Sequence, residues 1–147
     1  MNRAIKILLL VIAFISGALS PVVSAVSLPN VFGNNMVLQQ KTSVPVWGWG
    51  EPGERVLIRG DWGSEVTGTV NVDGSWKLFL ETPAYGGPYN VSVEGESLIQ
   101  FENVMIGEVW LCAGQSNMGW RLSATIGGEE EASSAHYPGI RIFRSER

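Results

Sequence analysis

The chain has 147 residues, of which 45% are hydrophobic and 16% charged, and its formal net charge is −4. This composition supports a folded core and excludes a disordered chain. An acidic chain without basic clusters argues against nucleic acid as a partner. The single cysteine, Cys112, excludes an intramolecular disulfide. Because it lies in an apolar run, we interpret it as a small buried hydrophobe rather than a reactive thiol.

The first 25 residues have the parts of a secretory signal peptide. Arg3 and Lys6 precede an apolar run over residues 7–19, and the segment ends in the small residue Ala25. The run is shorter than the ~20 apolar residues that a membrane-spanning helix needs, so an anchor is the less favoured alternative. The sequence predicts cleavage near Val26 and a secreted or periplasmic protein without membrane attachment after cleavage.

Residues 26–103 are predicted to form a β-sandwich domain of the immunoglobulin or jelly-roll type. Short apolar or alternating segments are separated by turn residues at the spacing of such a domain, without a helical period. Asp73-Gly74 predicts a hairpin, because glycine accepts the positive φ of a two-residue turn. The candidate strands are residues 36–39, 44–49, 55–59, 66–72, 76–80, 89–93 and 98–101.

Four tryptophans in this domain, Trp47, Trp49, Trp62 and Trp76, allow two interpretations. Aromatic faces can stack on sugar rings, but large aromatic side chains more often anchor a core. We expect Trp47 and Trp76 in the core. Trp62 is flanked by glycine and is expected to be the most exposed of the four.

The pattern changes at residue 104 to a continuous apolar run, which is typical of a parallel strand covered on both faces. The sequence therefore predicts that residues 104–147 begin a second, α/β domain. A break at Gly114 before a helix would hold the hydroxyl of Ser116 at the carboxyl edge of a sheet, beside helix N–H groups. An acyl-transfer nucleophile needs this geometry.

Two further elements are predicted after the serine. Glu129, Glu130 and Glu131 fall in the first turn of a helix, where carboxylates suit the helix dipole. A metal site is disfavoured because adjacent helical residues point in different directions, and no metal or cofactor is predicted. Residues 139–144 are predicted to form the second strand of the α/β sheet.

The serine block resembles that of a known esterase family. Residues 109–118, Val-Trp-Leu-Cys-Ala-Gly-Gln-Ser-Asn-Met, with Trp120, are similar to the sialate O-acetylesterases, which are secreted SGNH-type carbohydrate esterases with a flavodoxin-like catalytic domain. Residues 28–39, 44–49, 86–89 and 137–144 also resemble this family. The second glycine of the G-x-S-x-G elbow is missing. Gly119 departs from the family, which typically carries glutamate there.

The resemblance implies that Ser116 is the nucleophile, that its backbone N–H belongs to the oxyanion hole, and that the substrate is an O-acetylated carbohydrate such as sialic acid. Gln115 and Asn117 would contact the substrate or stabilise the turn. The family's base and its carboxylate partner come from an Asp-x-x-His motif, which these 147 residues lack. We interpret the one histidine, His136, as an exposed loop residue.

The expectation is therefore an amino-terminal fragment, inactive alone, in which a β-sandwich is followed by the truncated start of a flavodoxin-like SGNH hydrolase domain. A second function class stays open, namely a secreted, non-catalytic β-sandwich module that binds a glycan or a partner protein. The sequence makes no prediction of oligomeric state.

Overall fold

Strands make up most of residues 25–107. The computed structural model describes residues 25–144, so the predicted signal peptide lies outside the described residues apart from Ala25. The elements are β1 (Val37–Gln39), β2 (Ser43–Trp49), β3 (Arg55–Gly60), β4 (Ser64–Thr69), β5 (Ser75–Glu81), β6 (Gly86–Glu94), β7 (Leu98–Gly107), two 3-10 helices (Ser116–Gly119 and Leu122–Ala124) and α1 (Gly128–Ser134).

The strands form two sheets. The larger has five strands in the order β1-β7-β6-β3-β4, and β2 pairs with β5 in a two-stranded antiparallel sheet. In the larger sheet, β1 runs parallel to β7, with Val37 opposite Met105, and the other neighbours are antiparallel. The larger sheet is curled like half of a barrel. The prediction of a mostly β chain is confirmed.

Both sheets contribute side chains to one apolar core. Val56 and Ile58 of β3 and Val93 of β6 are fully buried, and the two-stranded sheet adds Trp76 and Leu80 of β5. Successive side chains of a strand point to opposite faces, so residues two apart enter the core together. The alternation that predicted these strands therefore also predicted their buried face.

The turn predicted at Asp73-Gly74 is present, but it does not join two neighbouring strands. Gly74 has a φ of 80°, and the carboxylate of Asp73 accepts hydrogen bonds from the hydroxyl (2.6 Å) and the N–H (3.0 Å) of Ser75. These bonds hold the pKa of Asp73 below its usual value. Because β4 pairs with β3 and β5 with β2, the turn carries the chain from one sheet to the other.

The four tryptophans differ from expectation in two cases. Trp76 is buried as predicted, but Trp47 is 38% exposed, so its assignment to the core is wrong. Trp62 is not the most exposed of the four, since it is half-buried whereas Trp49 is 52% exposed. The indole N–H of Trp62 donates to the carbonyl of Glu81 (2.9 Å) and its ring packs edge-on against a tyrosine. Its flanking turn folds the ring back onto the domain.

β7 runs through the position where the second domain was predicted to begin. Val104 and Ile106 are buried in the core of the larger sheet, and the strand ends only at Gly107. Asn103 has a φ of 55° and lies at a register shift between β6 and β7, so the strand bends there without ending. The apolar run does have a parallel neighbour, but that neighbour is β1.

Residues 108–144, here called the serine segment, add no strand to either sheet. Val109, Trp110 and Leu111 are 53%, 82% and 93% exposed, and Cys112 is exposed, so its predicted burial is wrong. Residues 139–144 are also not a strand. Strands need a partner for their backbone N–H and C=O groups, and neither stretch has one among the described residues. The helix predicted at the three glutamates is present as α1.

A first polar anchor holds the start of the serine segment to the end of β1. The carboxylate of Glu108 accepts hydrogen bonds from the side-chain amides of Gln40 (2.6 Å) and Gln39 (3.1 Å). The side-chain oxygen of Gln39 also accepts the N–H of Val109 (2.8 Å). Hydrogen bonds from Gln40 and Gln39, with a smaller contribution from the charge of Lys41, hold the pKa of Glu108 below its usual value.

A second anchor holds the far end of the segment near the start of β1. The guanidinium of Arg141 donates to the backbone carbonyl of Asn103, to its side-chain oxygen (3.0 Å) and, more weakly, to the carbonyl of Met36 (3.4 Å). The side-chain amide of Asn103 in turn donates to Asn35 (2.7 Å). The segment is thus a loop whose two ends are attached at the two ends of one three-residue strand.

The core supplies a stability test. We expect Ile58→Ala to lower the free energy of unfolding by about 3 kcal/mol, because a fully buried side chain leaves a cavity when it is truncated. Val72→Ala is the control, since Val72 is 94% exposed and a change there should stay within about 0.5 kcal/mol. Urea unfolding followed by tryptophan fluorescence measures both. Equal effects of the two changes would contradict this core.

The first anchor supplies a test by pH. The pKa of Glu108 is lower in the folded protein than in the unfolded chain. The anchor therefore stabilises the fold at pH values above the unfolded-state pKa of Glu108, and this stabilisation is lost as the pH falls through its folded-state pKa. We therefore expect the side-chain amide resonances of Gln39 and Gln40 to titrate with a midpoint below that of an unperturbed glutamate. Glu108→Gln should abolish the titration, and the exposed Gln100 serves as the control. Parallel titration of all three glutamines would refute the anchor.

Candidate functional site

Ser116 is the first residue of a short 3-10 helix that follows an extended segment. Gln115 is extended, with φ −92° and ψ −152°, and its carbonyl accepts the first hydrogen bond of the helix from Met118 (2.9 Å). The helix ends at Gly119, and the N–H of the next residue, Trp120, donates to the carbonyl of Asn117 (3.2 Å). The backbone N–H of Ser116 comes earlier in the chain than the first N–H that donates within the helix. It therefore has no partner within the helix.

Gly114 allows the backbone to approach the side chain of Met118. A Cβ at position 114 would lie 2.6 Å from the Cγ of Met118, which is closer than van der Waals contact allows. A larger residue at position 114 would therefore require the side chain of Met118 to move. The sequence indicated Gly114 as the point where the apolar run breaks, and the close approach gives the physical reason for a glycine.

The three predicted site residues lie together in one small concavity. Residues 114–118 line a surface pocket of about 320 Å³, and Ser116, Gln115 and Asn117 are all exposed in it. Their proximity follows from their adjacency in the chain. An exposed hydroxyl flanked by two amide side chains can meet a carbonyl substrate without rearrangement of the core.

The immediate surroundings of Ser116 supply neither a base nor a metal. Among residues 25–144, no hydrogen bond joins its hydroxyl to another side chain, and His136 is an exposed residue beyond α1. A serine hydroxyl is a weak nucleophile until a base accepts its proton. In the same range, no group of three or more His, Cys, Asp or Glu side chains is placed to hold a metal ion. No described helix has the length and apolar character to cross a membrane.

Large apolar side chains precede and follow this turn in the sequence, and they are exposed to solvent. Leu111, Trp110, Trp120, Met118 and Ile126 are each more than half exposed. Soluble proteins cover surfaces of this kind with another part of a protein or with a ligand. The apolar pattern indicated burial for the first two, and burial requires a partner that the described residues do not supply.

A second pocket, which the sequence did not indicate, lies on the outer face of the larger sheet. It has a volume of about 430 Å³, and its walls include Arg59, Asp61, Asn90 and Gln100. The carboxylate of Asp61 accepts hydrogen bonds from the N–H (2.9 Å) and the side-chain amide (3.0 Å) of Asn90. Arg59 forms ion pairs with two glutamates. These charged groups already satisfy one another, so the pocket does not carry an evident ligand chemistry.

Comparisons with known proteins find relatives that are esterases. No family model matches the chain. Over 122 residues, the chain is 34% identical to the sialate O-acetylesterase of Mus musculus and 31% identical to that of Homo sapiens. Each alignment covers 75% of this chain. The alignment spans only 23% of the length of either relative.

A solved structure gives the same result. A carbohydrate acetylesterase from Xanthomonas citri matches with a TM-score of 0.70 and 34% sequence identity over 77% of this chain and 26% of that protein. The chain thus spans about a quarter of the length of the proteins that it matches. The resemblance drawn from the motifs around Ser116 and at residues 28–49 is confirmed, because the curated relatives that match three quarters of this chain are sialate O-acetylesterases.

Proposed function

We propose that this chain carries the nucleophilic serine of a carbohydrate esterase that removes O-acetyl groups from sialic acid or from another acetylated sugar. The observation that carries the proposal is the position of Ser116, exposed at the first residue of a helix directly after an extended segment. The family of the chain supports the reaction type, because its relatives include sialate O-acetylesterases and a carbohydrate acetylesterase.

In the proposed reaction, the Ser116 hydroxyl attacks the acetyl carbonyl while a base takes its proton. The tetrahedral intermediate carries its negative charge near the backbone N–H of Ser116, which has no helical partner and can donate to it. Collapse of the intermediate transfers the proton to the sugar oxygen and leaves an acetyl-enzyme. Attack by water then releases acetate and regenerates the serine.

The proposal requires a base and a carboxylate partner, and among residues 25–144 no side chain forms a hydrogen bond with the Ser116 hydroxyl. In the family that the chain resembles, an Asp-x-x-His motif supplies both, and the relatives are about four times as long as the aligned stretch. We propose that the complete protein has these groups in further residues. Gln115 and Asn117 are proposed to bind the substrate beside the nucleophile.

We further propose a domain division and a location. Two sheets around a shared core support a β-sandwich as the amino-terminal domain, and we extend it to Gly107, where β7 ends. The serine segment would then begin a flavodoxin-like SGNH domain. The charged start and apolar run of the first 25 residues support export from the cytoplasm.

The nucleophile can be tested in the full-length protein. We expect Ser116→Ala to reduce acetate release from an acetylated sugar by far more than 10²-fold, because loss of a nucleophile removes the covalent route. Ser123→Ala in the next 3-10 helix is the matched control, and Cys112→Ala should also keep most activity. Circular dichroism of each variant verifies the fold. Activity of Ser116→Ala above about a hundredth of the parent rate would exclude this residue as nucleophile.

The 147 residues alone should hydrolyse acetyl esters only at the background rate, because Ser116 has no hydrogen-bonded base among the described residues. The measurement is acetate release by the purified chain, with Ser116→Ala as the reference. Steady hydrolysis that depends on Ser116 would instead point to His136 as a base.

Export can be tested separately. Amino-terminal sequencing of the exported protein is expected to find a new terminus near Val26, because signal peptidase cuts after a small residue such as Ala25. An exported protein that still begins at Met1 would contradict the proposal.

A further inference from the structure

The two-stranded sheet presents one face to the core and the other to solvent. Four outward pairs lie across the strands. Ser43 pairs with Glu81 at one end, and the other three pairs are Pro45 with Phe79, Trp47 with Lys77, and Trp49 with Ser75. Their neighbours on each strand, such as Val46, Trp76 and Leu80, are buried. We call the six residues of these last three pairs the aromatic face.

The aromatic face leaves three large rings in contact with solvent. Trp49 and Phe79 are each 52% exposed and Trp47 is 38% exposed. A large apolar surface of these rings therefore stays in contact with water, which a core position would have avoided. Among the exposed apolar side chains of residues 25–107, these three are the ones aligned on a single sheet face.

The backbone and rings of this face are held in place. Phe32 packs edge-on against Trp47, with ring centroids 4.8 Å apart and planes at 76°. Trp49 exchanges backbone hydrogen bonds with Ser27 on its free side, of 2.8 and 2.9 Å. Gly48 fits there because a Cβ would lie 2.0 Å from the Ser27 carbonyl oxygen. A surface fixed before binding loses less conformational entropy when a ligand arrives.

The arrangement suits a chain of sugar rings. Strand residues rise about 3.3 Å each, so Pro45 to Trp49 spans about 13 Å with an apolar ring at every second residue. A pyranose has a face of C–H groups, and their partial positive charge is attracted to the negative face of an aromatic ring. Lys77 lies across the ladder from Trp47, and its ammonium group can donate hydrogen bonds to sugar hydroxyls.

A protein partner fits this face less well. The fully buried centre of a protein interface is depleted of charged residues. Here Lys77 occupies the middle pair, and its ammonium group lies 5.3 Å from the ring centroid of Phe79. Burial of that charge under an apolar partner would be unfavourable, whereas a hydroxyl-rich ligand can solvate it.

We propose that the aromatic face is a carbohydrate-binding platform that holds a polymeric, O-acetylated substrate of the esterase. The choice of a carbohydrate rests on the proposed function. The platform itself consists of residues separate from the serine segment, so binding and hydrolysis can be measured independently. The ligand class is therefore a polysaccharide with several linked pyranose rings rather than a single acetylated sugar.

The test uses the 147-residue chain with Ser116→Ala, so that hydrolysis cannot alter the ligand. Native gels that contain soluble acetylated glucomannan, and gels that contain the same polymer after alkaline de-acetylation, measure retardation. We expect retardation by both polymers, because the rings contact C–H faces rather than acetyl groups. Trp47→Ala and Trp49→Ala should each weaken binding about tenfold, the upper range for loss of one aromatic contact.

Controls separate binding from folding. Tyr85→Ala removes another ring that is 79% exposed but lies outside the aromatic face, and it should bind like the parent chain. Phe79→Ala and Trp49→Phe serve if Trp49→Ala does not fold. Phe79→Ala should weaken binding, and Trp49→Phe should retain most of it. Thermal unfolding of each variant verifies the fold.

Three outcomes would overturn the platform. These are no retardation by either polymer, equal retardation of the parent and all aromatic-face variants, or a concentration-dependent dimer in sedimentation that Trp49→Ala dissociates. The last outcome would identify the face as a contact between two copies of the chain. None of these results depends on acetate release, so a failure of the platform is distinguishable from a failure of Ser116 as nucleophile.

Discussion

The parallel pairing of β1 with β7 is the constraint on which the position of the serine segment depends. This three-residue ladder joins the start of the described chain to its last strand, and it buries Val104 and Ile106 in the core. The chain leaves the sheet at Gly107, directly beside Gln39 and Gln40. The glutamine side chains are therefore in place to bind Glu108, and the parallel register decides where the segment that carries Ser116 begins.

The serine segment is attached to the β domain by polar contacts rather than by apolar packing. Its two anchors join charged groups, Glu108 and Arg141, to amides and carbonyls around β1. Exposed contacts of this kind give orientation and little stability. The apolar side chains of the segment stay in contact with solvent. The two anchors therefore orient the serine segment on the β domain.

The two-stranded sheet combines two roles because of the alternation of side chains along a strand. Every second residue of β2 and β5 supplies the core, and the intervening residues are free to vary in chemistry without loss of core packing. Aromatic residues on such a face leave more than a third of their surface in solvent. Their presence beside a central lysine is better explained by a ligand, which links the non-catalytic part of the chain to the carbohydrate chemistry proposed for Ser116.

Local pattern was sufficient for the mostly β character, the turn at Asp73-Gly74, helix α1 and the grouping of Ser116 with its neighbours, since each depends on residues adjacent in sequence. Only the tertiary structure decided that residues 104–107 complete the larger sheet, that Trp47 faces solvent and that Cys112 is exposed. Periodicity tells which residues share a face, but not which sheet a strand joins or which face is covered. The bonds from Gln39 and Gln40 to Glu108 span almost 70 residues, and local sequence carries no signal for contacts of that range.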